Sequence, residues 1–546
     1  MIRRILSHQH SSILSAALVI MVCVCLSRLL GLTRDRMLAA RFTPEELGVY
    51  FAAFRLPNLV FELLVMGALS TAFIPVFTFY LTKKEEKEAM KVASSVMNLG
   101  FLLFLFFSLP IVIFTREISR FLAPGFNEQQ LTLMVSFTRI MVLAQVFPLI
   151  FGNFLTGILQ SYKSFLIPSL APVIYNVGII LGILFLTPFY GLYGPVFGVV
   201  LGAFLFMLIQ IPTTLSFGYR HFALLDLSHP GVREVGKLML PRTLGLAVSQ
   251  IDTTVDLILS TLLGARAVTI FNFAQHLQQV PIGLFGATIA QAALPTLTRE
   301  KAKENLEEFK NTLLSSFHQI LFLVLPLSVI LIVLRIPSVR LVFGASRFDW
   351  QATVLTGKTL AFFAISIFAQ AEVQLLARGF YALYDSRTPV LIGVFSVFLN
   401  TILSILFIQY FHFPVFALGL STSIASLVNF LLLLFYLDKK VARFDKIRLF
   451  LPAIKMFLAA GITAVFLYVP MKLLDKLVFD TTRTLNLLLL TGIATSIGLS
   501  VYLFLAWFLD VEEVKTFVDL VKRVGKLKQL VFETQGEMIN GKETKI

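Results

Sequence analysis

The sequence predicts an all-α polytopic membrane protein of about 14 transmembrane helices, built as two parallel six-helix repeats plus two C-terminal helices. Three observations predict it. Hydrophobic residues make up 57% of the chain and charged residues only 14%, where soluble proteins carry roughly 25%. Continuously apolar runs of about 20 residues, the length a helix needs to cross roughly 30 Å of hydrocarbon, recur from end to end. Blocks of sequence return in the same order after about 216–221 residues.

The spans fall at about 11–32, 48–80, 92–115, 131–160, 167–187, 191–213, 235–262, 268–297, 312–334, 354–382, 388–410, 413–437, 449–471 and 485–509. Barrel strands would alternate apolar and polar residues, and these runs do not. The first run follows a basic "MIRRILSHQH", but no small-residue cleavage site precedes Arg28, so it is read as a retained span. Cys23 and Cys25 sit two residues apart within it and face different ways on a helix, which argues against a disulfide or a metal site. The connections are short and hold Gly, Pro and charge, as in "GLYGP" (191–195) and "YDSRTP" (384–389).

The repeat is legible in four pairs. "LPIVIFTREISRFLAPGF" (109–126) echoes "LPLSVILIVLRIPSVRLVFG" (325–344), and "ILQSYKSFLIPSLAPVIYN" (158–176) echoes "FYALYDSRTPVLIGVFSVFLN" (380–400). "YGPVFG" (193–198) echoes "HFPVFALG" (412–419), and "GALSTAFIPVFTFYL" (67–81) echoes "GATIAQAALPTLTRE" (286–300). Six spans per repeat is even, so the two halves share an orientation, an arrangement common among transporters with the substrate path between halves. The expected organisation is an N-lobe over 1–220, a C-lobe over 221–440, the last two spans in 441–515, and a basic tail over 516–546.

The net charge is +15. Its basic residues gather in "TKKEEKEAMK" (82–91), "TREKAKENLEEFK" (298–310), "LDKKVARFDKIR" (437–448) and the tail. All of these lie on one side if both termini are cytoplasmic, as the positive-inside rule requires. Anionic lipid headgroups then account for the charge, and no nucleic-acid partner is needed.

Few ionisable groups remain inside the spans. They include Arg28, Arg34 at a span end, Arg55, His276, Glu62, Glu372, Asp252 and Asp256. A charge at mid-bilayer costs roughly 2.5–3.5 kcal/mol, so such groups face partners or a wet cavity. Snorkelling to the interface competes for Arg28 and Arg55, and solvated loop positions compete for Arg34. Guanidinium binds phosphate bidentately and stays charged, so an arginine cluster here matches an anionic, phosphate-bearing ligand. Asp252 and Asp256 are one helical turn apart, fitting either a monovalent cation or a pairing across the bundle. Gly31, Pro57, Gly67, Pro75 and Pro281 are candidate hinge positions, since Pro and Gly permit local opening of a span. No nucleotide-binding, zinc-hydrolase or serine-hydrolase motif appears. Neither an enzyme activity nor a cofactor is therefore expected, and any driving force comes from an ion gradient, the membrane potential or the substrate gradient.

These residues resemble the MurJ/MviN family of lipid II flippases, in the multidrug/oligosaccharidyl-lipid/polysaccharide exporter superfamily. The family pattern SRxLGxxRD is matched by Ser27, Arg28, Leu30, Gly31, Arg34 and Asp35. FxAFxLPN is matched by Phe51, Ala53, Phe54, Leu56, Pro57 and Asn58, with Arg55 at the variable position. GAxSxAFxP is matched by Gly67, Ala68, Ser70, Ala72, Phe73 and Pro75. "APGF" (123–126), "VPIGLFGATIAQAALPTL" (280–297) and "FYALYDSRTPV" (380–390) are further landmarks. The resemblance implies a bacterial inner-membrane flippase. Its cationic cavity would hold the pyrophosphate of a lipid-linked oligosaccharide, most simply lipid II for peptidoglycan synthesis. Spans 13 and 14 would form a groove for the polyprenyl tail, and alternating access would move the headgroup outward. The chain departs from the pattern at Gly48, where an Asp is usual, at His276, where "AQHL" replaces ADRL, and at Phe61, Glu62 and Met66. Three other readings compete: a flippase for an O-antigen or capsule glycan, an ion-coupled multidrug exporter, and a membrane scaffold without transport.

Overall fold

The computed structural model of the chain describes residues 13–66, 72–477, 483–515 and 518. The expected hinge Gly67 and the basic tail beyond 515, Val518 apart, lie outside them. Every regular element among the described residues is helical. Among the described residues, eleven helices are long and apolar enough to cross a membrane, or twelve if Trp350–Ala364 and Ile367–Ala382, bent by 43°, form one span. Two others, Ile13–Arg41 and Pro230–Leu262, are long enough and carry Arg28, Arg34, Asp252 and Asp256. With them the count is compatible with 14.

Contacts group the chain into two compact units. The first comprises Met1–His276, Val339–Thr359 and Val394–Ala425, and the second Leu277–Ser338, Leu360–Gly393 and Ser426–Ile546. The main helices of the first are α1 (Ile13–Arg41), α2 (Pro44–Ala53), α3 (Arg55–Phe61), α4 (Glu86–Ile113), α5 (Glu128–Ala144), α6 (Val146–Ser161), α7 (Leu166–Leu181), α8 (Tyr193–Leu208), α9 (Pro230–Leu262) and the start of α10 (Ala265–Pro281).

The expected first span, 11–32, is too short: α1 runs on without interruption to Arg41, through Gly31. Arg34 and Arg36 are therefore helical. The expected second span, 48–80, is assembled in pieces. Thr43 caps α2, its hydroxyl accepting from the Glu46 N–H while the Glu46 carboxylate accepts from the Thr43 N–H. This satisfies two helix-end donors, and Pro44 occupies a first-turn position that needs no N–H. At Phe54 α2 stops, because Pro57 has no N–H to give the Ala53 carbonyl. The Thr138 hydroxyl of α5 donates to that oxygen instead, at 3.2 Å. Beyond the break α3 restarts at Arg55 and loosens into a π turn, Glu62–Met66. Pro75 lies in the first turn of the next piece, Ile74–Thr82.

Small residues set how closely these helices approach. A Cβ added at Gly178 or at Gly182 would lie 2.3 Å from the Cα of Gly202 or Gly198 respectively. Two Gly-x-x-x-Gly pairs thus bring α7 and α8 into backbone contact, the packing that lipid-embedded helices rely on. Between α2 and α10 the fit is tighter: a Cβ on Gly48 would sit 1.8 Å from the Ala265 carbonyl oxygen. The Thr269 hydroxyl donates to the Pro44 carbonyl at 2.6 Å, and the rings of Phe51 and Phe273 meet edge to face at 5.5 Å. Arg266 bridges Glu45 and Asp349. The Asp that the resemblance implies at position 48 has no room here.

The second unit is organised by α11 (Leu306–Val333), α13 (Ile367–Ala382), α16 (Lys446–Leu477) and α17 (Thr484–Phe508), with parts of three helices shared with the first unit: α12 (Trp350–Ala364, in the first unit as far as Thr359), α14 (Arg387–Ile405, in the first unit from Val394 on) and α15 (Phe416–Lys440, in the first unit as far as Ala425). Phe309, Leu313, Phe317 and Leu321 of α11 form one apolar cluster with Leu375 and Phe380 of α13 and Met456 and Ala459 of α16. Pro281 ends α10 directly before a π turn, Ile282–Ala287. There a Cβ on Gly286 would lie 2.8 Å from the Ala371 Cα, and Arg378 donates to the Ala287 carbonyl at 2.7 Å.

Backbone irregularities recur along the chain. The π turns Glu62–Met66 and Gly182–Leu186 return as Ile282–Ala287 and Leu406–Tyr410. The helix breaks at Phe114 and Gln145 return at Leu334 and Ser366. Each pair is separated by about 220 residues, the spacing of the sequence echo.

A candidate cationic cavity

Within the first unit lies a cavity of about 300 Å³. Its wall is drawn from six helices: Arg34 of α1, Tyr50, Phe51 and Phe54 from α2 and its end, Arg55 and Asn58 of α3, Tyr175 of α7, and residues of α9 and α10 that include Thr253, Ser260, Asn272, Gln275 and His276. The structure therefore brings together three of the four expected cavity residues, Arg34, Arg55 and His276. Arg28 is exposed, does not line this cavity, and makes no hydrogen bond among the described residues. The six-residue spacing along an unbroken helix turns it away from Arg34.

Asp35, 2% exposed, organises one wall. Its Oδ1 accepts from Arg34 Nε at 2.9 Å and Nη2 at 2.7 Å, and its Oδ2 lies 2.9 Å from His276 Nδ1. Arg34 Nη1 also donates to Asn176 Oδ1 at 3.2 Å. On the other side, Arg55 donates from Nε to the Thr254 hydroxyl at 2.9 Å and from Nη2 to the Gln250 carbonyl at 2.6 Å. A guanidinium has five N–H donors. Among the described residues these bonds engage three donors of Arg34 and two of Arg55, so two and three respectively have no partner there. Aromatic faces and the amides of Asn58, Asn272 and Gln275 complete a surface suited to an anion carrying polar substituents.

Asp252 and Asp256 are not in this wall. Asn400 of α14 donates to both, at 3.0 Å to Asp252 and 3.4 Å to Asp256. Behind it the Ser404 hydroxyl meets Asn400 Oδ1 at 3.5 Å and the Ser421 hydroxyl at 2.6 Å. Two carboxylates thus share one amide, an arrangement short of positive charge. Glu372 is fully buried in the second unit, and neither carboxyl oxygen has a partner among the described residues. No cluster of three metal-ligating side chains occurs among the described residues.

The sequence does not mark Asp35, Asn176, Tyr50, Tyr175 and Asn400 as site residues. Asp35 was visible as the final letter of the SRxLGxxRD pattern. Asn176 and Asn400 close the two echoing segments 158–176 and 380–400, and an amide inside an apolar span was the signal available for both.

The family model described as lipid II flippase MurJ matches residues 45–503. A probable lipid II flippase MurJ of Buchnera aphidicola subsp. Baizongia pistaciae is 26% identical over 474 residues, 84% of this chain and 90% of that protein. The lipid II flippase MurJ of Burkholderia cenocepacia is 28% identical over 427 residues, covering 76% and 82% of the two chains. Among solved structures, an inward closed conformation of lipid II flippase MurJ superposes with a TM-score of 0.74 at 23% identity, over 89% of this chain and 98% of that one. An inward-facing multidrug resistance MATE transporter shares the fold more distantly, with a TM-score of 0.65 at 15% identity, over 76% of this chain and 94% of that one. With most of its length matched, the chain belongs to the MurJ family, a multi-pass inner-membrane family named for lipid II flipping.

Proposed function

We propose that the chain is a transporter, not an enzyme, which moves lipid II from the cytoplasmic to the outer leaflet for peptidoglycan synthesis. One observation carries the reading: Arg34, Arg55 and His276, from three different spans, line one cavity and leave donors facing it. A pyrophosphate supplies the matching charge and acceptor geometry. Family membership favours this cargo over a drug or a different glycan.

Further assignments follow from the same reading. The lobes 1–220 and 221–440 act as parallel repeats, supported by the recurrence of π turns and breaks every 220 residues or so. The paired helices α16 and α17 serve as the lipid-tail groove. Asp252, Asp256 and Asn400 hold a monovalent cation, since their charge is otherwise unbalanced. Both termini are cytoplasmic, by the placement of Lys and Arg. Arg28 meets the headgroup only in a conformation other than the one described.

The test is complementation of a strain depleted of its lipid II flippase. Arg34→Ala and Arg55→Ala should each abolish growth at normal protein level. Growth with both variants would defeat the proposal. Loss only with Asp252→Asn and Asp256→Asn would move the site to the acids.

A further inference from the structure

The Asp35–His276 contact fixes more than orientation. An ionised carboxylate has acceptors only, and two Arg34 donors on Oδ1 hold Asp35 in that form. The 2.9 Å contact from Oδ2 therefore requires the His276 proton on Nδ1. What remains to titrate is Nε2, an acceptor when the ring is neutral and a donor when it is charged. The ring is held edge-on to Phe51 at 6.2 Å, its side chain is 34% exposed, and it lines the cavity. Nε2 has no hydrogen-bond partner among the described residues.

The charges around it can be enumerated from every helix that faces it. α1 contributes Arg34 and Asp35, which cancel. From α3 comes Arg55, which has no ion pair within 4 Å among the described residues; Glu62, in the π turn beyond α3, acts on it from further away. Neutral groups come from the rest: Tyr50 on α2, Tyr175 on α7, Thr253 and Ser260 on α9, and Asn272 and Gln275 on α10. The lining with Asp35, Glu62 lying outside it, therefore carries one net positive charge with a neutral His276 and two with a protonated one. A diphosphate diester carries two negative charges. Imidazole is the side chain whose charge changes in the physiological range, and an anion arriving at Nε2 favours the charged ring.

We infer that His276 takes up one proton as the diphosphate binds, so that this chain's ligand affinity is linked to pH, where an arginine at the same place would hold its charge throughout. The inference rests on the diphosphate reading of the cavity. The proton comes from bulk solvent and stays on Nε2, from which Nε2–H donates a hydrogen bond to a phosphate oxygen. Departure of the ligand returns it to water. Nδ1–H stays on Asp35 throughout.

The experiment uses the purified full-length chain in detergent. The probe is UDP-N-acetylglucosamine, a soluble diphosphate diester whose phosphates stay fully ionised from about pH 5.5 to about pH 8.5. Calorimetric titration in buffers of different ionisation heat counts the protons. For the unmodified chain, uptake approaching one proton is expected in the upper part of that range, with affinity falling up to about tenfold per pH unit. His276→Arg should bind with pH-independent affinity and no uptake. His276→Gln should show no uptake and the weak affinity of the neutral ring at every pH. Binding by the unmodified chain with flat affinity and no uptake overturns the inference and leaves the diphosphate site standing. Absence of binding in both the unmodified chain and His276→Arg, at every pH, overturns the diphosphate reading itself. The proton count on the unmodified chain decides the matter even if a variant fails to fold.

Discussion

Gly48→Ala tests how tightly α2 and α10 are joined. The added Cβ would lie 1.8 Å from the Ala265 carbonyl oxygen, 2.5 Å from its carbonyl carbon and 3.0 Å from its Cα. The obstacle is backbone, so no side chain can rotate out of the way. Real Cβ contacts stop near 3.0 Å, so the helices must part by at least about 1.2 Å at this point. A uniform displacement of that size stretches the Thr269–Pro44 hydrogen bond from 2.6 Å to about 3.8 Å, beyond hydrogen-bond range. It also stretches Arg266–Glu45 from 3.0 Å to about 4.2 Å, where the ion pair is lost. The lost hydrogen bond costs about 1 kcal/mol and the overpacking about 1–3 kcal/mol. The half-exposed ion pair adds less than about 1 kcal/mol. The sum is about 3 kcal/mol, a loss of about 2–3 degrees in melting temperature for a chain of this length. The assay is thermal unfolding in detergent beside Gly236→Ala, a helical glycine with nothing within 4 Å of its would-be Cβ. That control should hold or gain stability, because alanine favours helix over glycine. If Gly48→Ala melts with the control, the close approach of α2 and α10 is wrong.

Other expectations follow from single contacts. Pro57→Ala restores the N–H that the Ala53 carbonyl lacks and displaces the Thr138 hydroxyl; α2 and α3 then fuse, Arg55 turns away, and complementation should fall while the melting temperature holds or rises. Gly198→Val pushes a side chain into the Gly182 Cα and the Ile179 backbone, and should cost about 1–3 kcal/mol by overpacking, read as reduced yield of folded protein and a lower melting point. At Asp385, in the loop before α14, burial alone would raise the carboxyl, but hydrogen bonds from Lys440 and Thr388 outweigh it and bring it down to about 2. A depressed carboxylate stabilises the fold above its ordinary range near pH 4 and loses that contribution as pH falls toward 2. Asp385→Asn should therefore flatten the acid limb of a melting-temperature profile over that window, and an unchanged limb would count against the Lys440 pairing.

How much of the site was legible depends on which kind of information each residue carries. Arg34, Arg55 and His276 stood out because ionisable groups are rare in apolar spans, and that signal is local. The same signal also raised Arg28, Asp252 and Asp256, which lie elsewhere in this conformation. Helix geometry puts Arg28 and Arg34 on different faces of α1, but which of those faces meets the cavity is set only by the position of α7 and α10 around α1. Asp35 is hidden for the opposite reason: beside an arginine it looks like one half of a simple neighbouring pair, whereas its second oxygen reaches α10, more than 240 residues away in sequence.

Composition, run length and the echo near 220 residues were enough to determine a helical membrane protein with a duplicated core, because hydrocarbon imposes the same length and apolarity on every span wherever it sits. The break at Pro57 was equally a matter of local chemistry, since a missing N–H is missing in any fold. What the tertiary structure alone decided is which polar groups spend their hydrogen bonds on each other and which are left for a ligand. Side chains distant in sequence compete for the same few donors and acceptors in a dry interior, and that competition is resolved only when the helices are packed.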